Sequence, residues 1–325
     1  MKLYKIYIAA FLVIVGTGCK KDYLDVNTNP NSLPTATPAY VFANALNTSA
    51  AIMVSPNETG MVWAGQWTQS NGYIISTTLF AYNFTNGDFN YWDNTYDNLN
   101  DYQYVINNAT SNSQDYLKGP AKVMKAFNFQ KLVDLYGNIP FSDALKGVGS
   151  LAPKFDDQKA VYEGLITLLD DGIKDLKANA FSSSATGSDF IFKGNTTSWI
   201  KFANSLKLRI LMRQSKVSGR DAYITAEINK IVAEGSGFIT GAEVGVNPGY
   251  TPSAGQINPF YDTYGYSETN ARRAFNNWPR NTAFLINTLK STGDTTRMKR
   301  IAYAIGNEST ATAGVSAKAE IADNY

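Results

Sequence analysis

The chain contains no histidine and a single cysteine, Cys19. Without imidazole there can be no His-based triad, no His-ligated zinc and no histidine proton shuttle. What remains is carboxylate, lysine, hydroxyl or calcium chemistry, and whatever the one thiol does. Cys19 stands behind Lys2, Lys5, an apolar run from Ile6 to Val15 and the small residues Gly16, Thr17 and Gly18. A basic start, an apolar middle and small residues before a cut are the parts of an export signal. The apolar run falls well short of the roughly twenty residues that a membrane-spanning helix needs. Residues 1–18 therefore read as a cleaved leader. Cys19 becomes the new N-terminus, its thiol carrying diacylglycerol and its amine an acyl chain. Each buried methylene adds about 0.8 kcal/mol, so two or three chains tether a domain firmly to a membrane. Gly16 departs from the pattern, since a larger apolar residue is more usual there. With the thiol lipidated, no disulfide is available, and the exported domain must rely on its core and hydrogen bonds.

Charge narrows the partners. The chain has 29 basic and 27 acidic residues, and removing Lys2 and Lys5 with the leader leaves the mature chain formally neutral. From Asp22 to Leu117 there is no lysine or arginine, while Asp22, Asp25, Glu58, Asp88, Asp93, Asp97, Asp101 and Asp115 are acidic. Such a stretch is poorly suited to contact phosphates, so nucleic acid is not the expected ligand. Asp and Asn side chains could take calcium, but no recognisable loop of ligands is present, and no cofactor or metal is expected.

The residues left to do chemistry are aromatic rings among amides. Sugar rings are apolar on their C–H faces and polar at their edges. Flat aromatic side chains cover the faces, and amides and carboxylates meet the hydroxyls. Two stretches have this mixture. The first, residues 60–104, offers Trp67, Gln69, Tyr73 and Tyr82 as ligand contacts, and the second offers Tyr264 and Trp278. Trp92 and Tyr96 fall on a helical stripe and read as core. Trp63 reads as packed and Trp199 as structural, and Arg209 and Arg213 as stem packing with surface ion pairs. A carboxylate-based glycoside hydrolase is the catalytic alternative, using Asp88, Asp93 or Asp97. However, Asp93 and Asp97, four apart on one helix, fit a solvated face, and nothing marks a raised-pKa acid.

The elements that must hold these stretches are helical. Lys20 to Pro34 reads as an extended polar tether. A helix begins near Thr37 with Pro38 at its first position. Trp92, Tyr96, Leu99 and Val105 or Ile106 point inward on a helix from about Tyr91 to Ala109. Ala121, Met124, Phe127, Leu132 and Leu135 form a stripe ending at Gly137. Tyr162, Leu165, Ile166, Leu169, Ile173 and Leu176 form another, with Asp156 or Asp157 as N-cap. Trp199, Phe202, Ala203, Leu206 and Ile210 follow, capped by Asn195 or Thr196. Ile224, Ile228, Ile231 and Val232 end at Gly235. Residues 60–90 and 240–279 lack helical period and read as long aromatic loops. Helix pairs on short turns point to tetratricopeptide-like packing, although that repeat's full signature is missing.

These motifs together resemble the SusD-like (RagB-related) lipoproteins of Bacteroidota. The matching parts are Cys19 followed by Asp22-Tyr-Leu-Asp25, the tether Asn27-Thr-Asn-Pro-Asn31, the helix Ala121 to Leu135 with its Tyr136-Gly-Asn-Ile-Pro140 turn, and Trp199 to Arg213. Asn258-Pro-Phe-Tyr261 and Asp294 to Arg300 also fit. The resemblance implies a mainly α fold, with tetratricopeptide-like helix pairs as scaffold and long irregular loops as the ligand face. Residues 1–18 would be the signal peptide, 19–36 the tether and 37–325 the SusD-like domain. It further implies a non-catalytic, outward-facing outer-membrane lipoprotein. Such a protein captures oligosaccharides, or in some members peptides, for a SusC-like TonB-dependent transporter. Family chains usually run well past the point matching Tyr325, so a C-terminal truncation is expected here.

Overall fold

Pro38 opens the first helix at the position where its fixed φ and missing N–H cost nothing. The computed structural model describes residues 36–54, 57–70, 77–85, 87–88, 91–110, 114–179, 181, 183–241, 244–276 and 278–301. Cys19, the tether up to residue 35 and Tyr73 lie outside them. In chain order the described elements are α1 (Pro38–Val54), α2 (Asn57–Trp63), β1 (Trp67–Gln69), α3 (Thr77–Ala81), α4 (Trp92–Asn108), α5 (Lys118–Tyr136), α6 (Gln158–Ala178), α7 (Thr196–Arg213), α8 (Asp221–Glu234), α9 (Pro259–Tyr264), β2 (Pro279–Asn281), α10 (Ala283–Ser291) and α11 (Thr295–Ile301). The chain is mainly α, as its periodicity predicts, and no helix among the described residues is long and apolar enough to cross a membrane.

The six long helices form the scaffold. α1 packs on α4; α4, α5, α6 and α7 each pack on the next as far as α8, and α7 also reaches α5. This is the stacked-pair arrangement expected of tetratricopeptide-like units. Phe42, Leu99, Tyr102, Phe129, Leu132, Leu165, Leu169, Trp199 and Ile210 are buried along it. The Phe42 ring meets Tyr102 at 6.3 Å and Trp199 at 6.3 Å, which ties α1 to both α4 and α7. α5 and α6 approach unusually closely at two glycines. A β-carbon at Gly119 would lie 2.6 Å from Leu176 Cγ and 2.9 Å from the Gly172 carbonyl oxygen, so no larger residue fits without movement.

Local chemistry sets the helix ends. Asp157 caps α6 by accepting from the Lys159 amide (2.9 Å), and Asn195 caps α7 by accepting from Ser198 (2.9 Å). Asp156, the other candidate cap, instead accepts from the amides of Phe141 (3.0 Å) and Ser142 (2.7 Å), pinning the turn after α5. Gly137 and Gly235 follow α5 and α8 at positive φ. Buried polar groups are grouped rather than scattered. The Ser49 hydroxyl meets Tyr102 Oη (2.8 Å) and accepts from Asn98 (2.8 Å) and Asn128 (3.0 Å), joining α1, α4 and α5. Fully buried Asp189 accepts from the amides of Ile191, Phe192 and Gly194 and from Trp199 Nε1.

Two inward assignments need correcting. Leu135 and Val232 are exposed, because Leu132 with Val133, and Ile224 with Ile231, already fill the core face of their helices. The two stretches read as loops are also not wholly irregular, since they contain α2, β1, α3 and α9.

Candidate functional site

Gly65 turns the chain out of α2 at φ +66°, a conformation that side-chain-bearing residues rarely adopt, and a β-carbon there would also press on Phe284 at 3.3 Å. The turn launches β1, which pairs antiparallel with β2 in the register Trp67 with Asn281, Thr68 with Arg280 and Gln69 with Pro279. The ladder extends at both ends. Ser70 N–H donates to the Trp278 carbonyl (2.7 Å), and Thr282 N–H donates to the Gln66 carbonyl (3.0 Å). Thr282 Oγ1 also donates to the Gly65 carbonyl, across 217 positions of sequence. The small sheet therefore fastens the first aromatic stretch to the second.

At this junction lies the group Trp67, Tyr264 and Trp278. Trp67 is half-buried, and its ring meets Tyr264 edge-on at 5.7 Å and 76° and Trp278 at 6.2 Å and 90°. Tyr264 donates its hydroxyl to Glu58 Oε1 (3.0 Å), and its carbonyl accepts from Asn276 Nδ2 (2.7 Å). Its ring packs at 4.8 Å against exposed Phe260. Gln69 shares a strand face with Trp67, as residues two apart do, but its Oε1 is buried and has no hydrogen-bond partner.

Trp278 corrects the sequence reading. It is 0% exposed, enclosed by Trp67 and by Phe275 at 6.5 Å, so it has no face to offer a ligand. The Pro279 that follows marks the start of an edge strand rather than an open loop, and the tryptophan beside it turns inward as backing for Trp67.

Tyr82 is placed where a ligand could reach it. It is 67% exposed, sits at φ 56° and stacks on Trp63 at 5.7 Å and 21°. Positive φ is strained for a bulky residue, and such strain clusters where function requires it. Trp63, read from sequence as packed, is 39% exposed. Its Nε1 donates to the Leu79 carbonyl (3.2 Å), and Phe84 meets its ring edge-on at 4.6 Å. Trp63 and Glu58 are the functional candidates that sequence reasoning missed. Both lie on α2, a helix too short to show a period. Tyr73 lies outside the described residues.

Charges of both signs surround the site, with Arg280 opposite Thr68 on the small sheet and Arg273 paired with Asp262 of α9. Burial raises the Glu58 carboxyl above its ordinary range, with the Tyr264 hydrogen bond opposing part of the effect. Burial, with Tyr136 and Glu58 nearby, pushes the Tyr91 phenol up to about 12. No lysine or arginine forms an ion pair with Glu58 among the described residues. Asp93 and Asp97 are exposed on α4, and Asp88 is held by the amide (2.6 Å) and hydroxyl (2.7 Å) of Thr85. The arrangement offers ring faces and hydrogen-bonding edges. A cleft of about 710 Å³ lies between α1, α5, α7 and the segment 239–260, and its wall reaches α9 through Pro259 and Phe260, the ring that packs on Tyr264. The lining is largely apolar, with Ser205, Arg209, Tyr250 and Asn258 as its polar groups.

A protein-family model, SusD-like and described as starch-binding and associating with the outer membrane, matches residues 30–323. No curated protein sequence gives a significant match. Among solved structures, a SusD/RagB family protein from Bacteroides thetaiotaomicron is 20% identical with a TM-score of 0.58, over 80% of this chain and 53% of its own. A SusD homolog from Bacteroides fragilis is 24% identical with a TM-score of 0.58, over 79% of this chain and 50% of its own. A chitin-binding SusD homolog from Flavobacterium johnsoniae is 22% identical with a TM-score of 0.51, over 62% of this chain and 44% of its own. The chain spans about half the length of these solved relatives. At such identities the likeness is one of fold.

Proposed function

The chain belongs to the SusD-like family, described as starch-binding and associating with the outer membrane, and from that membership we propose that it captures oligosaccharides at the cell surface without catalysis and passes them to a SusC-like TonB-dependent transporter. In this reading Cys19 carries the lipid, and the tether from Lys20 to Pro34 spaces the domain from the membrane. The anchor keeps the domain's effective concentration at the transporter high, so that capture and release need no diffusional search.

One observation carries the ligand class. The β1–β2 pairing unites two aromatic stretches, so that Trp67 and Tyr264 stand in one group next to the helix that bears Trp63 and its partner Tyr82. Rings of this kind cover sugar C–H faces, and amides and carboxylates beside them meet hydroxyls. The ligand contacts we assign are Trp67, Tyr264, Tyr82 and Trp63, with Trp278 as support behind them.

Retention tests the reading. The purified chain, passed through gels containing soluble starch or soluble glycol chitin, should be retarded by at least one of them relative to a non-binding control protein. Unretarded migration in both, for a protein whose circular dichroism shows it folded, would contradict the assignment to these two glycan classes.

A further inference from the structure

Glu58 is a half-buried carboxyl with no ion-pair partner among the described residues, and burial of that kind is costly. It is therefore a poor stabilising device. Its carboxylate accepts from the Tyr264 hydroxyl at 3.0 Å, which joins α2 to α9 across 206 positions of sequence. Tyr264 is also held at its backbone by Asn276 and flanked by the rings of Trp67 and Phe260. A tyrosine ring turns about two side-chain torsions, and a contact at each end leaves it little freedom. The hydroxyl bond thus links the Trp67–Tyr264 edge geometry, at 5.7 Å and 76°, to α2.

We propose that Glu58 is a positioning residue for the aromatic surface: through Tyr264 it fixes the angle at which Trp67 and Tyr264 meet a bound sugar. The inference rests on the carbohydrate reading above for its functional meaning, while the positioning itself has an optical readout that needs no ligand. An Asp or Gln placed elsewhere would not serve, since the acceptor must lie on α2 opposite the phenol. A five- to ten-fold change, or about 1.0–1.4 kcal/mol, is the size expected from the loss of one such hydrogen bond.

The test compares wild type with Glu58→Ala, Tyr264→Phe, the double variant and Glu58→Gln. Near-ultraviolet circular dichroism reports the Trp67–Tyr264 couple, calorimetry with maltoheptaose and chitohexaose reports affinity, and melting temperature reports folding. Glu58→Ala and Tyr264→Phe should each weaken the aromatic band and lower affinity by about five- to ten-fold. The double variant should add nothing further, and Glu58→Gln, which keeps an acceptor oxygen, should restore both readouts. The inference is overturned if Glu58→Ala keeps the wild-type spectrum and affinity, or if the two losses add. Should Glu58→Ala fail to fold, Tyr264→Phe, which removes only the hydroxyl, decides in its place. If wild type binds neither sugar, the carbohydrate reading fails, and the spectra alone still decide whether Glu58 positions Tyr264.

Discussion

Two tryptophans that look alike in sequence have opposite roles. Trp67 and Trp278 both sit beside turn-forming residues in aromatic stretches, and composition predicts ligand contact for both. In the fold Trp67 is half-buried at the junction, whereas Trp278 is enclosed. Trp278→Ala should therefore act through stability. Emptying a fully buried tryptophan site costs about 3–5 kcal/mol, which corresponds to a fall in melting temperature on the order of 10 °C in a domain of this size. A thermal melt of the variant checks this, and a melting temperature within a degree of wild type would show that the side chain is not the support described. The residue types of the site were legible in the sequence: Trp67, Tyr82 and Tyr264 are aromatic, lie among amides and proved accessible or half-accessible. Which way each ring points was not legible. That depends on a three-residue pairing between segments about two hundred positions apart, and strands so short carry no alternation to detect.

The long helices were the most legible elements, because four or five turns of apolar spacing and a side-chain cap agree with one another. Asp157 and Asn195 are found as caps, and the stripes through Leu165–Leu176 and Trp199–Ile210 are buried. The stripes failed only at their last turns, at Leu135 and Val232, where periodicity continues after the packing partner has ended. Glu234, at the end of α8, shows how the elements are fastened together. Burial alone would raise its carboxyl. The Lys177 ammonium of α6 (2.6 Å), the Ser236 hydroxyl (2.6 Å) and amide (3.1 Å) and the Asn204 amide of α7 (2.7 Å) outweigh this and bring it down to about 2. A carboxyl whose folded pKa lies below its unfolded value stabilises above the unfolded value and loses that contribution as pH falls. The clamp between α6, α7 and α8 should thus be fully present above about pH 4.5 and fade as pH falls toward about 2. Denaturant melts across that window should show Glu234→Gln with a shallower pH dependence than wild type. Equal slopes would place the acid sensitivity elsewhere.

For the molecule as a whole, the division of labour is between a helical scaffold and a small sheet that gathers aromatic groups onto it. The scaffold was foreseeable from period and caps, and the gathering was not, since it is a tertiary event. Cys19 and its tether belong to the same scale, because an anchor matters only for the body it holds. Cys19→Ser, expressed with its leader, should move from the membrane fraction to the soluble exported fraction, as membrane fractionation would reveal. Continued membrane association of that variant would count against lipid anchoring at this residue. Calorimetric titration of maltoheptaose and chitohexaose into wild type and Trp67→Ala tests whether the aromatic surface holds sugar. Saturable binding of at least one sugar by wild type, weakened about ten-fold or more in a Trp67→Ala protein that melts cooperatively, is the predicted result. Equal affinity in the two proteins, or no binding by folded wild type, would contradict it.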